Sequence, residues 1–481
     1  MRITNKIIQN NSLTNINTNK TLQDQLSTMI SSKKKISRPS EDPIVALRSL
    51  RLRTSVNQTE QYVEKNVEDA KSWLSVTEDS IDTLSGVIDN VRSLYTKGTN
   101  DPLTPSDRRI ITENLEALVS EIYATGNADF AGRSVFTGFR TSETLTFQKQ
   151  EDVEYAIKEN EESVTIDTYT HITRGDVETD VSVNKITRVR LSYEKLDDVA
   201  PLSLSINGKT IDPGDIVKVS IADDPYGEAT KAGNEGKAIY VPETGEILLG
   251  SDFGAVEDVT SVEVEYQKTK WSRGDLRPEH YFTCTTDKGQ DSEVKYNFPK
   301  RETQEIQYNI GVNQSLRINT NASECFNHSI ARDIQDSLRA LSEAEEIEAT
   351  IKDIEKQIAA LPESDVAGKK ALNDKLDAAK KAQTFINDKL HQHFSKSISK
   401  SDDYLAKNSV ALTNCGTRSK RLELIENRLD TQLFTLKELK SENEDADIAE
   451  TAIKLSSANY AYDAALMATG KIMKESLLNY I

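Results

Sequence analysis

The stretch VEDAKSWLSVTEDSIDTLSGVIDNVRSLY, from Val67 to Tyr95, decides the fold class. Within it Val67, Ala70, Leu74, Thr77, Ile81, Leu84, Ile88, Val91 and Tyr95 recur in steps of three and four. That spacing holds one apolar stripe along a helix and is the period of a coiled-coil seam. Just downstream, Gly98 to Pro105 reads as a turn, and Ser106-Asp107 opens a further helix with the stripe Ile111, Leu115, Leu118 and Ile122. A second dense run lies far along the chain, at Leu422, Ile425, Leu429, Gln432, Leu436 and Leu439. Each end of the chain exposes a stripe that the other can bury, so the two helical ends are expected to pair.

Upstream the pattern thins. Over Arg2 to Lys35 the apolar residues include Ile3, Ile7, Leu13, Ile16, Leu22 and Leu26, at helical spacing but sparse. Asn5, Asn10, Asn11, Asn15, Asn17 and Asn19 are poor helix formers. A narrow stripe of weak propensity does not hold a helix alone, and it can order when other chains cover it. The last segment is similar in kind, with Leu455, Tyr462, Leu466, Met473, Leu477 and Tyr480. A terminal stripe without internal partners reads as a subunit interface, so 1–35 and 455–481 are expected to order only on assembly.

Between the sparse segment and the dense one stands KKKISRPSEDP, Lys33 to Pro43. Proline disfavours helix at the residue before it, so Arg38 and Asp42 are expected to be extended. Asp42 followed by Pro43 reads as an N-cap with proline at the first helical position. Arg38, Pro39, Asp42 and Pro43 thus form a connector of restricted angles.

The middle of the chain changes period. From Phe139 to about Ile318 short alternating runs alternate with turn signals. Leu202, Leu204 and Ile206 lead into Asn207-Gly208, a hairpin turn; Ile239 and Val241 lead through Thr244-Gly245 to Ile247 and Leu249; Val262, Val264 and Tyr266 alternate again. From Cys325 helix returns. Ile347, Ile351, Ile354, Ile358 and Leu361, then Leu372, Leu376, Ala379, Gln383, Ile386 and Leu390, flank a turn at Pro362–Gly368 and predict a charged antiparallel helical hairpin.

Composition limits function. The net charge of −18 argues against a general nucleic-acid binder, which needs clustered Lys and Arg. The charge is uneven: residues 1–53 hold ten Lys/Arg against three acidic residues. Cys284, Cys325 and Cys415 show no metal or redox spacing. No apolar run is long enough to span a membrane, and the N-terminus lacks the apolar region of a secretory signal.

Catalytic signatures are absent from the sequence: no phosphate loop, no H-E-x-x-H, no G-x-S-x-G, no EF-hand loop. No catalytic, cofactor or metal residues are expected. His391 and His393 lie on different faces of a helical stretch and read as solvated. The acidic runs Glu343–Glu348 and Glu442–Asp447 read as solvated helix faces, and Lys33–Lys35 as a solvated helix C-terminus. Cys325 and Cys415 read as small buried hydrophobes. Two Arg-Gly-Asp tripeptides, Arg174–Asp176 and Arg273–Asp275, read as turns rather than receptor ligands.

Five phrases carry a resemblance to the flagellin superfamily, and within it to the hook–filament junction proteins (the hook-associated protein 3 family). They are the N-terminal run MRITNKIIQNNSLTNINTNKTLQDQLSTMISSKKKISRPSEDPIVALRSLRLRT, the Val67–Tyr95 phrase, AGRSVFTGFRT, RLELIENRL and DADIAETAIKLSSANYAYDAALMATGKIMKESLLNYI. The similarity covers about 1–147 and 400–481, weakens over 303–326 and is mostly absent from the middle. Flagellins tend to carry an AxDDAAG-like turn where this chain has Arg38-Pro39-Ser40-Glu41-Asp42-Pro43, the junction-protein form. Trp73 and the SLLNYI ending fit the same branch. The 343–394 hairpin is longer than usual, and 195–270 reads as an extra insertion.

The resemblance implies a mainly α chain with a β insertion. Its long terminal helices pair in a coiled-coil-like bundle and its β domain faces outward. The expected divisions are 1–42 as assembly helix and connector, 43–138 and 326–446 as the two parts of the bundle, the second including the charged hairpin, 139–325 as the β domain with room for an inserted subdomain over about 195–270, and 447–481 as C-terminal assembly helix. It further implies export through the growing flagellum, with an export chaperone, and terminal helices that fold on assembly. The copies would associate in a ring-like layer between a neighbouring hook-associated protein and flagellin. A divergent filament flagellin, a surface adhesin and an enzyme are the alternatives. The proline-bounded connector separates the first of these from a junction protein; a host-binding assay of 140–325 tests the second; no constellation supports the third.

Overall fold

The structure, a computed structural model, describes residues 5–99, 105–286, 294–296, 304–362 and 365–474. Its helices are α1 (Asn5–Ser32), α2 (Pro43–Gln61), α3 (Glu68–Gly98), α4 (Pro105–Thr125), α5 (Pro225–Ala229), α6 (Ala322–Cys325), α7 (Ser329–Ala360), α8 (Val366–Glu444) and α9 (Ile448–Lys474). A π-helical turn, Tyr62–Val67, joins α2 to α3. The chain forms two compact units. One comprises residues up to 69, 309–315 and those from 421 onward; the other comprises 70–308 and 316–420.

In the second unit the sequence stripe is the core. Ala70, Leu74, Thr77, Ile81, Leu84, Ile88, Val91 and Tyr95 are all buried, with Trp73 and Val87 added to them. The middle of α8 runs antiparallel to α3. Asn408 Nδ2 donates to the Ile81 carbonyl at 3.0 Å, Arg92 pairs with Asp402 at 2.5 Å, and the Cys415 thiol meets the Leu74 carbonyl at 3.7 Å. Tyr95 packs edge-on against Phe394, and Gly98 leaves the space that this ring occupies. Helices α4 and α7 are antiparallel too: Tyr123 Oη donates to the backbone carbonyl of His328 and Arg109 reaches Glu345.

The strands are β1 (Asp129–Phe130), β2 (Arg133–Ser134), β3 (Glu151–Asn160), β4 (Thr165–Thr173), β5 (Ser182–Arg190), β6 (Ser203–Ile206), β7 (Lys209–Thr210), β8 (Ile216–Lys218), β9 (Ala238–Val241) and β10 (Glu246–Leu249). They continue with β11 (Val262–Trp271), β12 (Thr283–Thr286), β13 (Val294–Tyr296), β14 (Gln307–Gly311) and β15 (Gln314–Arg317). One sheet has the order β13-β12-β3-β11-β6-β7 and the other β4-β5-β10-β9-β8. The Asn207-Gly208 turn is there, both residues at positive φ.

The topology corrects one expectation. The 195–270 stretch does not stand apart as a subdomain. Its strand β11 pairs with β3 and its strand β10 with β5, so it completes both sheets. A stretch that supplies central strands cannot fold as an appendage, because its backbone groups are paired with the rest of the domain.

The helical hairpin predicted near 343–394 forms between α7 and α8. Its apolar seam, Ile347, Ile351, Ile354, Ala378, Ala379 and Ala382, packs with Val181 at the start of β5. Two readings of its polar residues need correction. Glu343 is not merely solvated: it accepts from Lys389 at 2.6 Å and from Tyr169 at 2.5 Å. His393 is half-buried and bonded to the Ser337 hydroxyl at 2.9 Å, and burial lowers its pKa to about 4, so the pair with exposed His391 is not a solvated one.

A buried ionic cluster fixes α7 to the second sheet. Arg188 and Arg190 lie two apart on β5 and so share a face; Asp333 and Asp336 lie three apart on α7 and share another. Arg188 bonds Asp167 at 2.7 Å, Glu246 at 2.8 Å and Asp336 at 3.0 Å, while Arg190 bonds Asp333 at 2.6 Å and Asp336 at 2.5 Å. Burial opposes each charge, but the two arginines hold the Asp336 carboxyl well below its ordinary range. All three cysteines are buried.

Candidate assembly interface

The other unit is built around a joint. Helix α1 ends at Ser32, and Lys33 takes a left-handed φ of 57° that turns the chain. Lys34 and Lys35 then run beside the break between α8 and α9. The Lys35 N–H donates to the Glu444 carbonyl at 2.7 Å, and the Ala446 N–H donates to the Lys33 carbonyl at 3.0 Å. After Arg38 and Pro39 the chain reaches Asp42. Its φ of −148° is extended, and its carboxylate caps α2 by accepting from the N–H groups of Ile44 and Val45. Pro43 opens that helix, as its missing N–H allows.

At the centre of the joint is Glu444, whose side chain is only 4% exposed. It accepts from Arg53 Nε at 2.6 Å and Nη2 at 2.9 Å, from Lys34 Nζ at 3.2 Å, and from the Ser49 hydroxyl. These donors, Arg53 first, pull its pKa down to about 2 against the opposing effect of burial. Lys34 also pairs with Asp445 at 2.5 Å. The acidic run Glu442–Asp447 and the basic run Lys33–Lys35 are therefore not two solvated faces: they meet. Sequence reasoning missed this because the partners lie 410 residues apart in the chain. No local signal links them.

Beyond the joint, α1 and α9 pack antiparallel against each other, with Gln23 donating to Asn459 at 2.6 Å. This corrects the reading that the terminal stripes lack any internal partner: each is the other's partner. The pairing nevertheless covers little. Leu26 and Ala458 are buried, and Ile16, Leu455 and Tyr462 are half-buried. Ile7, Leu13, Leu22 and Leu466 remain exposed, each by 44% or more. Exposed alongside them are Ile448, Ile453, Tyr460 and Met467 on α9, which the sequence reading did not single out. Ile3, Leu477 and Tyr480 lie outside the described residues, as does the side chain of Met473. The α1–α9 pairing alone thus leaves these apolar side chains in contact with water.

On the connector side the heptad run behaves as expected to Leu429 and then shifts. Leu422, Ile425 and Leu429 are buried, but the next buried position is Leu433 rather than Gln432, and Leu439 is exposed. Among the described residues no group of three His, Cys, Asp or Glu could hold a metal ion, and no helix is long and apolar enough to cross a membrane. The second Arg-Gly-Asp is a turn with Gly274 at a φ of 95° and the Asp275 carboxylate accepting from the Ser272 N–H at 2.9 Å.

Residues 3–141 match the bacterial flagellin N-terminal helical region. Over that region the chain is similar to flagellins. A flagellin of Clostridium tyrobutyricum is 26% identical over 127 residues, a match that spans 26% of this chain and only 33% of the length of that flagellin. Among solved structures, one named as a flagellar hook-associated protein from Vibrio parahaemolyticus is 12% identical. It covers 84% of this chain and all of its own, with a TM-score of 0.37. The flagellar junction protein FlgL from Legionella pneumophila is 11% identical over 84% of this chain and all of its own, with a TM-score of 0.30. In this flagellin-like chain the matched region takes in α1, the connector and α2 to α4, and therefore one half of the joint.

Proposed function

We propose that this flagellin-like chain is a structural component of the bacterial flagellum that works as the adaptor at the hook–filament junction, onto which flagellin polymerises. The observation that carries the reading is the α1–α9 pair: two helices that are joined at a locked elbow and leave Ile7, Leu13, Leu22, Leu466 and Met467 to water. Such surface is stable when neighbouring subunits cover it. The chain then associates with its own copies in a ring-like layer, with a hook-associated protein on one side and flagellin on the other. It reaches that place outside the cell by flagellar export, accompanied by a chaperone. Its role is structural and not catalytic.

The proline-bounded connector supports the junction role over the filament role. Pro39 and Pro43 restrict the angles between α1 and α2, and Asp42 and Glu444 fix the elbow from both sides. The similarity to a flagellin keeps a filament subunit as the second reading. Deleting the gene tests the first. Cells lacking the chain are expected to retain hooks, lose filaments and release flagellin into the medium. Normal filaments on such cells would remove the adaptor reading.

A further inference from the structure

The first three turns of α2 carry basic charge alone. A helix N-terminus favours acidic side chains, because the macrodipole places partial positive charge there. Helix α2 has no acidic residue in its first turn. Between Pro43 and Thr59 the charged residues are Arg48, Arg51 and Arg53, whereas 60–69 holds Glu60, Glu64, Glu68 and Asp69 against Lys65. Arg53 is accounted for by Glu444 and Glu60 by Lys437. Arg48 and Arg51 are exposed and make no ion pair among the described residues, and Glu64, Glu68 and Asp69 are exposed as well.

Helical spacing puts Ile44, Leu47, Arg48 and Arg51 in one exposed sector of the helix, beside the sector of the buried Ser49 and Val56. Ile44 and Leu47 are 68% and 52% exposed. A groove of about 610 Å³ is lined by Val45, Leu52 and Leu439 with Lys35, Arg48 and Arg51, and by Glu442 and Asn443 from the end of α8. Three basic side chains stand there against one carboxylate, Glu442, so this face is basic on balance in a chain whose net charge is −18. Its complement is an acidic helical surface.

We infer that this face of α2 docks head-to-tail onto the acidic 60–69 segment of a second copy of the chain. The inference rests on the reading that copies associate in a ring and names the surfaces they use. Position 48 stands sixteen residues before position 64 on one helical run, about 24 Å at the helical rise, so the two cannot meet within one chain. Each copy offers both halves of the contact at different places. Repeated in one sense, such a contact is heterologous and generates rings or helical arrays.

The test is a full-length Arg48→Cys/Glu64→Cys variant, epitope-tagged, in flagella isolated from cells and oxidised. The natural cysteines are buried and do not compete. A disulfide needs Cα atoms within about 7 Å, so any link joins two copies. A ladder of dimers, trimers and larger species is the expected result. A product that stops at the dimer would overturn the head-to-tail arrangement. A link to a chain of different mass would replace the second copy with another flagellar protein. Tagged protein present at the hook–filament boundary without any link would refute the docking surfaces and leave the proposed function standing; absence from flagella would end both. As a second measurement, Arg48→Glu/Arg51→Glu is expected to reduce incorporation about tenfold or more, the loss one or two broken charge pairs produce. Adding Glu64→Arg/Glu68→Arg on the same chain is expected to restore it.

Discussion

At the scale of single residues, Glu444 is the point on which the joint turns. Replacing it with alanine leaves Arg53, Lys34 and Ser49 without their shared acceptor. Breaking a buried ion pair costs several kcal/mol, and Arg53 and Lys34 are 52% and 38% exposed, which screens part of the loss. Glu444→Ala is therefore expected to destabilise the joint by about 2 kcal/mol, read by urea unfolding of the full chain followed through a probe on α2. The same residue sets a pH window. Its folded pKa is about 2, below the unfolded glutamate's. The unfolded chain therefore takes up the proton first as pH falls, so the stabilisation is complete above about pH 5 and lost progressively toward the folded pKa. Glu444→Gln is expected to flatten that part of the stability–pH profile; an unchanged profile would show that other carboxylates control it. Asp42→Ala removes the α2 cap and is expected to cost about 1 kcal/mol. The two residues differ in legibility. Asp42 could be read because an N-cap and a following proline are local chemistry. Glu444 could not, because within its acidic run nothing distinguishes it from Glu442; only the arrival of Lys34 and Arg53 makes it the buried one.

At the scale of elements, the α1–α9 pair and the α3–α8 seam behave oppositely. The stripe of α3 buries every position that its spacing marks, and Asn408 sits inside the seam, where one buried polar side chain fixes the register of two helices. Helices α1 and α9 bury little beyond Leu26 and Ala458. Amide exchange in dilute protein is accordingly expected to be much faster across Asn5–Ser32 and Ile448–Lys474 than across the centre of α3. Equal protection would mean that α1 and α9 need no further cover. Ile7→Asp or Leu466→Asp places a charge on surface that is already exposed, so thermal unfolding of the monomer is expected to change little. Incorporation into flagella is expected to fail, because assembly would bury the charge without a partner. The density of a stripe could be read from the sequence; its partner could not. Sparse spacing at both termini looked like two free segments, and the structure pairs them, since a weak stripe gains more from another weak stripe than from water.

At the scale of the whole molecule, the order helix, β block, helix follows from changes of period along the chain, from three-and-four spacing to alternation and back. The sheet order does not follow from them. Strands β3 and β11 are separated by over a hundred residues, and alternation marks a strand without marking its neighbour. The ionic cluster of Arg188, Arg190, Asp333 and Asp336 was invisible for the same reason. Arg190→Ala is expected to cost about 3 kcal/mol in the stability of the β-containing unit, because Asp333 and Asp336 would stay buried with fewer partners. The proposed role is positional, at one boundary in a larger assembly. Immunogold labelling of purified flagella, viewed by electron microscopy, tests it most directly. Gold confined to the boundary between hook and filament is the predicted result. Gold along the whole filament would contradict it and make the chain a filament subunit.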